Sequence, residues 1–201
     1  MSFETPILLM VFNRPDTTRQ VLDAVRKVKP KFLYVAADGP RTDKAGEAEK
    51  CEEVRNLFKN IDWDCKLRTL YRGQNLGCGH GPANAISWFF SNVEQGIILE
   101  DDCVPDESFF NYCDELLKRY KDNEQVMHIS GNNFLSKKYT GPDSYYFTQY
   151  FTAWGWATWR RAWQHYDFNV AFLDEFLRSS MFSKLVMNKK QHDFWTNIAA
   201  L

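Results

Sequence analysis

The chain has 201 residues, 44 % of them apolar and 25 % charged, a length and balance suited to one globular domain with a sizeable core. Its 25 basic residues stand against 26 acidic ones for a net charge of −1, which removes any electrostatic case for a nucleic-acid backbone or an anionic membrane surface. Its 5 cysteines contain no CxxC pair, so neither a disulfide framework nor a thiolate zinc site is expected, a cytoplasmic setting fits, and any metal must be held by oxygen.

The first residues show no basic segment followed by a long apolar run, so no signal peptide is expected. The opening apolar run, residues 7–12, is far shorter than the ~20 residues of a transmembrane segment and reads as a buried strand. Asn13-Arg14-Pro15-Asp16 turns into a helix whose Val21, Leu22, Val25 and Val28 share a face. A second strand over residues 32–37 ends at Asp38-Gly39-Pro40. Residues 42–50 are charged and expected to be exposed, with a helix continuing through Val54, Leu57 and Phe58. A third strand at 67–71 enters a glycine-rich loop, a helix covers 82–90, and a short buried strand at 96–99 runs into Glu100-Asp101-Asp102. Residues 108–120 form a helix with Phe109, Tyr112, Leu116 and Leu117. A strand at 126–130, an irregular loop over 132–144, a strand at 145–147 and helices over 172–177 and 182–187 complete the reading. The last residues carry no helix-ending signal, which reads as truncation.

Strands alternating with helices at this spacing predict an α/β domain with a mostly parallel central sheet flanked by helices. Ligands of such sheets sit beyond the carboxyl ends of the strands, which points to the loops after residues 12, 37, 71 and 99. The last of these holds three adjacent carboxylates, Glu100, Asp101 and Asp102, which repel one another unless a cation neutralises them. Mg²⁺ or Mn²⁺ suits such ligands, since these ions bind through one or two carboxylates plus substrate phosphate oxygens. The alternative is a solvated turn.

Each of the other loops has two readings. Asp38 either accepts from the N3–H of uracil or only shapes an Asp-Gly-Pro turn. Arg14 either binds a uridine or phosphate or is a surface arginine. The glycines of residues 73–81 either bring backbone N–H groups to a ligand at a helix start or form a flexible connection, and the segment is neither a Walker loop nor GxGxxG. His80 there either contacts substrate or serves the loop. Asn132 and Asn133 either bond sugar hydroxyls or make a turn. Within Trp154-Gly155-Trp156-Ala157-Thr158-Trp159-Arg160-Arg161-Ala162-Trp163, Trp159 and Trp163 read as core, and Gly155 and Trp156 as lining for a donor-sugar pocket.

Glu100-Asp101-Asp102 after Ile97-Ile98-Leu99 resembles the EDD motif of N-acetylglucosaminyltransferase-I-like glycosyltransferases of GT-A fold. The block at 154–163 resembles a segment of bacterial nucleotide-diphospho-sugar transferases. The resemblance takes in residues 6–14, Asp38, the helix with Phe109-Phe110, and residues 129–133. It implies a single Rossmann-like GT-A domain over 1–201, with residues 1–102 as the nucleotide-binding half and 103–201 as the acceptor- and sugar-binding half. It further implies Asp102 as the direct metal ligand, Glu100 and Asp101 orienting water and sugar, Asp38 on uracil, Arg14 on the uridine or a phosphate, and Asn75 and Gly77 as an Asn-x-Gly element. Asp193, in His192-Asp193-Phe194-Trp195, resembles the acidic-aromatic segment that carries the catalytic base, with a helix-surface acid as the alternative.

The implied activity is an inverting, Mn²⁺- or Mg²⁺-dependent glycosyl transfer from a UDP-sugar to a hydroxyl acceptor such as a glycan or cell-surface polysaccharide. A haloacid-dehalogenase-type phosphatase is excluded, because its nucleophilic aspartate belongs after the first strand and the corresponding residue here is Glu100, after the fourth. Two alternatives stand. One is a sugar-nucleotide pyrophosphorylase, whose glycine-rich GxGTR-like loop is not matched by Asn13-Arg14-Pro15. The other is a non-catalytic nucleotide-sugar- or carbohydrate-binding module of the same fold.

Overall fold

In a computed structural model, which describes residues 3–134, 142–186 and 188–199, the chain divides into two compact units, Met1–His165 and Tyr166–Leu201. The first unit runs β1 (Ile7–Val11), α1 (Pro15–Val28), β2 (Phe32–Ala37), α2 (Glu47–Asn56), β3 (Lys66–Tyr71), α3 (Gly77–Asn92), β4 (Gln95–Glu100), α4 (Glu107–Arg119), β5 (Ile129–Ser130), β6 (Trp156–Trp159) and α5 (Arg160–Trp163). Six strands form one sheet in the order β3-β2-β1-β4-β6-β5. The pairs β1–β2, β2–β3 and β1–β4 are parallel, and β6 is antiparallel to both β4 and β5. This is the expected Rossmann-like α/β arrangement with a mostly parallel sheet.

Side-chain alternation along the strands builds the two faces. Ile7, Leu9 and Val11 of β1, Leu33, Val35 and Ala37 of β2, and Ile97 and Leu99 of β4 point to one side. There they meet Val21, Leu22 and Val25 of α1, Val54 of α2, and Phe110, Cys113 and Leu117 of α4. Leu8, Tyr34, Ala36 and Ile98 point to the other side, against Ala85, Ile86, Phe89 and Phe90 of α3. Burial on both faces explains why these central strands read as continuous apolar runs. It also follows from right-handed crossovers: α1 and α2 cover one face while the sheet grows toward β3, and α3 covers the other when the chain returns to β4.

Four elements differ from the sequence reading. The third helix begins at Gly77, five residues before the expected 82. The strand expected at 126–130 is confined to Ile129–Ser130, and residues 145–147 are not a strand. The tryptophan block supplies β6, unforeseen as a strand, whose Ala157 and Trp159 enter the core. Of the loop expected over 132–144, residues 135–141 lie outside the described residues.

The second unit holds three short helices: α6 (Leu173–Arg178), α7 (Ser180–Leu185) and α8 (Lys189–Ala199). Ser179 caps α7 by accepting the Phe182 N–H at 3.2 Å, and the buried Phe182 ring meets Phe176 and His192. The expected helices at 172–177 and 182–187 are found within a residue or two, Met187 lying outside the described residues, whereas α8 was not anticipated as an element. Among the described residues no helix is long and apolar enough to cross a membrane, and all five cysteines are free thiols.

Candidate functional site

From β1 the chain steps outward through β2 to β3, then crosses back to lay β4 on the opposite side of β1. Loops leaving the carboxyl ends of β1 and β4 therefore diverge, and the crevice between them is where open α/β sheets bind ligands. Residues 12–14 leave β1 there, and Glu100-Asp101-Asp102 ends β4. A cavity of about 430 Å³ occupies this end of the sheet, a volume in the ordinary range for a small-molecule site. It brings together Arg14, Asp38, Asn75, Gly77, Glu100 and Asp101, six of the residues singled out from sequence.

Arg14 forks across two of the three carboxylates. Its Nη2 lies 3.0 Å from Asp101 and its Nη1 2.6 Å from Asp102. Asp101 is buried, 3 % exposed, and also accepts the Phe12 N–H at 3.2 Å. Burial raises the Asp101 carboxyl above its ordinary pKa against the pull of Arg14. Burial raises Glu100 as well, helped by repulsion from Asp102 and Asp101. For Arg14, burial opposes the charge, but Asp101 and Asp102 outweigh it and hold the guanidinium firmly protonated. The cation demanded by the acidic cluster is thus supplied in part by the chain itself. Among the described residues no group of three or more His, Cys, Asp or Glu side chains converges as a metal cage.

The Asp38 carboxylate is taken up by backbone. It accepts from Leu76 N–H at 3.0 Å, from Gly77 N–H at 3.2 Å and from its neighbour Gly39 N–H at 3.0 Å. A carboxylate at the first amides of α3 satisfies orphan donors and meets the positive end of the helix. Asn75 completes the join, donating to Gly39 O at 3.0 Å and accepting from Gly77 N–H at 3.1 Å. Gly39 has no room for a side chain, because a Cβ would fall 2.4 Å from the Gln74 nitrogen. Gly77 sits at φ +76°, where a side chain is strained.

Three further polar side chains shape this end of the sheet and were missed in the sequence. Arg72 follows β3 directly and lines the cavity; its guanidinium has no hydrogen bond or ion pair among the described residues. Arg55 of α2 donates from Nη2 to Arg72 O at 2.6 Å and to Asp38 O at 3.3 Å, tying together the chain after β2 and β3. Glu47, placed from sequence in an exposed stretch, is only 5 % exposed. It accepts from Arg41 N–H at 2.7 Å, from Arg41 Nη2 at 2.5 Å and from Asn13 Nδ2 at 2.9 Å. The guanidinium of Arg41 lowers the Glu47 carboxyl to a pKa of about 2 against the opposing effect of burial. The available signal was positional, since Arg41 and Arg72 both follow strand carboxyl ends.

A second cavity of about 1,430 Å³ lies on the other side of the β4 end, bordered by Asp102, Phe109, Asn132, Asn133, Trp154 and Gly155. Asn133 accepts from the Tyr146 hydroxyl at 3.2 Å, and Gly155 O accepts the Gly131 N–H at 3.0 Å. Trp156 belongs to neither cavity wall; its ring stacks on His128 with centroids 4.7 Å apart. Trp159 is buried, with Nε1 donating to Leu117 O at 3.1 Å, and Trp163 donates to Ser87 Oγ at 3.0 Å. His80 is exposed near the start of α3. Asp193 lies in the second unit, on the exposed surface of α8, with His192 Nδ1 3.6 Å away.

No protein-family model matches the sequence, and no curated protein matches it either. Solved structures similar to it include a cytidylyltransferase from Leptospira borgpetersenii serovar Hardjo-bovis (strain JB197), at 10 % identity and TM-score 0.48, covering 97 % of this chain and 73 % of that one. Another is the 4-diphosphocytidyl-2C-methyl-D-erythritolsynthase from Anaerococcus prevotii DSM 20548, at 10 % identity and TM-score 0.45, covering 96 % of this chain and 83 % of that one. Neither is described as a glycosyltransferase. The expectation of glycosyl transfer from a UDP-sugar is corrected on this finding and is withdrawn.

Proposed function

We propose that the chain binds a nucleoside triphosphate in the crevice at the carboxyl ends of β1, β2 and β4 and transfers its nucleotidyl group to a phosphate monoester, as a sugar-nucleotide pyrophosphorylase does. A phosphate oxygen of the acceptor attacks the α-phosphorus, the bond from that phosphorus to the β-bridging oxygen breaks, and pyrophosphate leaves with the electron pair. The observation that carries this reading is that the guanidinium of Arg72, without a partner among the described residues, lines the same cavity as the Arg14–Asp101 pair and Glu100. Guanidinium groups match phosphate oxygens in shape and charge.

The chemistry also suits the groups present. A phosphate monoester has its second pKa near about 6 and is already nucleophilic at neutral pH, so no general base is needed. Among the described residues lining the smaller cavity there is no histidine, and two of its carboxylates, Asp38 and Asp101, are engaged by backbone amides and Arg14. Transfer to a hydroxyl would instead call for a general base.

A divalent cation, Mg²⁺ or Mn²⁺, forms part of the proposal. Three carboxylates against the one guanidinium of Arg14 leave excess negative charge, and the Glu100 carboxylate accepts no hydrogen bond among the described residues. Glu100 and Asp102 would hold the ion together with substrate phosphates, the usual manner for Mg²⁺, and it would draw charge from the phosphates as pyrophosphate departs. Arg14 keeps the paired carboxylates in place, and Arg72 holds the triphosphate.

Calorimetric titration with the four common nucleoside triphosphates, with and without Mg²⁺, tests the reading. At least one should bind saturably, and Arg72→Ala should weaken it about tenfold, as loss of one charge-assisted contact predicts. Binding of no nucleoside triphosphate, or unchanged affinity in Arg72→Ala, contradicts it. Binding without pyrophosphate release, when sugar and polyol phosphates are added, would leave only a nucleotide-binding module.

A further inference from the structure

The Arg41–Glu47–Asn13 group has no role in the proposed chemistry so far, yet it is a densely hydrogen-bonded polar cluster at the proposed nucleotide cavity. Arg41 lines that cavity from the loop after β2, three residues beyond Asp38. Its Nε and Nη2 donate to both oxygens of Glu47, at 3.0 Å and 2.5 Å for the closest pairs, a two-pronged contact that fixes the plane of the guanidinium. The Phe12 ring supports one face, its centroid 5.7 Å from the guanidinium carbon. Glu47 is held in turn by the Arg41 backbone N–H at 2.7 Å and by Asn13 from the loop after β1 at 2.9 Å.

This clamp joins the loops leaving β1 and β2, and it consumes only one edge of Arg41. The Nη1 group has no hydrogen bond among the described residues. A buried carboxylate and an arginine fixed so closely cancel each other's charge, so the pair adds little long-range attraction for an anion. What remains is a donor edge held rigidly on the cavity rim. Long side chains lose rotamer freedom when they become ordered, and an arginine immobilised beforehand does not forfeit this on binding.

We infer that Arg41 is a direct ligand of the nucleotide's phosphate chain and that Glu47 is its positioning residue. The inference rests on the nucleotide reading above and extends it to a second, pre-ordered donor beside Arg72.

Two roles for Glu47 predict opposite signs. If it only dampened the positive charge of Arg41, Glu47→Gln would tighten anion binding by freeing that charge. As a positioning residue its loss should weaken nucleoside triphosphate binding about tenfold, comparable with Arg41→Ala, since one oriented charge-assisted contact is forfeited in each. The double variant Arg41→Ala/Glu47→Gln should bind no more weakly than Arg41→Ala alone, whereas a general loosening of the fold would weaken binding further in either background. Arg41→Lys, which keeps charge but not the fork, should resemble Arg41→Ala.

Titrating the triphosphate that binds wild type into these four variants decides the matter. Should Glu47→Gln fail to fold, Asn13→Ala, which removes one support of the carboxylate, should still weaken binding by a few-fold, and unchanged binding there counts against the inference. Wild-type-like or tighter binding by Glu47→Gln, or additive losses in the double variant, overturns the positioning role while leaving the nucleotide reading standing. Failure of wild type to bind any triphosphate overturns both.

Discussion

Charge at single residues was the easiest feature to see in this sequence and the hardest to assign. The cluster Glu100-Asp101-Asp102 stood out because three carboxylates follow a buried strand; Glu100 and Asp101 line the crevice and Asp102 borders the larger cavity. Its compensating cation did not stand out, because Arg14 is 86 or more positions away and only the β1–β4 pairing brings it to 3.0 Å from Asp101. Glu47 was misread for a related reason. Its neighbours are charged and exposed, and local composition hides that a single member turns inward to Arg41.

That contact with Arg41 has a measurable consequence. The Glu47 carboxyl is lowered from about 4.5 to about 2 by Arg41, so its contribution to stability is present above the ordinary carboxylate range and lost as pH falls toward 2. Urea unfolding of wild type and Glu47→Gln should show the larger stability gap at neutral pH and a shrinking gap on acidification through that window. A gap independent of pH would show that the ionised pair contributes nothing.

Elements buried on one or two faces were legible, and those fixed by remote partners were not. β1, β2 and β4 announce themselves as short apolar runs, and α1 by its spaced valines and leucines. The start of α3 was placed five residues late because Gly77-Cys78-Gly79 lacks a local cap. Its amides are satisfied by Asp38, which arrives from another strand. β6 was missed because tryptophans separated by small residues suggest ligand platforms as readily as a strand. Its identity comes from pairing with β4, Gly96 facing Thr158 and Ile97 facing Ala157.

Gly96 shows how tightly that part of the sheet is packed. A Cβ there would fall 2.3 Å from the Phe89 ring and 2.8 Å from Pro6 O. Gly96→Ala should therefore cost about 1–3 kcal/mol, the usual penalty of overpacking, read as a lower urea midpoint with an unchanged slope. Wild-type stability would mean that Phe89 moves aside freely.

At the scale of the whole chain, alternation of strands and helices was enough for the α/β class, and the carboxyl-end rule picked the loops that line the smaller cavity. The sheet order was not available from the sequence. It alone reveals the change of direction between β1 and β4, and with it a cavity that Arg14, Arg72 and Glu100 all line. Resemblance carried the reading toward sugar transfer because an acidic triplet after a strand serves any chemistry that handles a metal-bound diphosphate. Which bond of that diphosphate breaks is not written in the triplet.

Bond choice is therefore the point to measure. Nucleoside-diphosphate sugars incubated with radiolabelled pyrophosphate, Mg²⁺ and the protein should yield labelled nucleoside triphosphate and sugar phosphate, the reverse of nucleotidyl transfer. Release of nucleoside diphosphate, with all label remaining in pyrophosphate, would contradict the account.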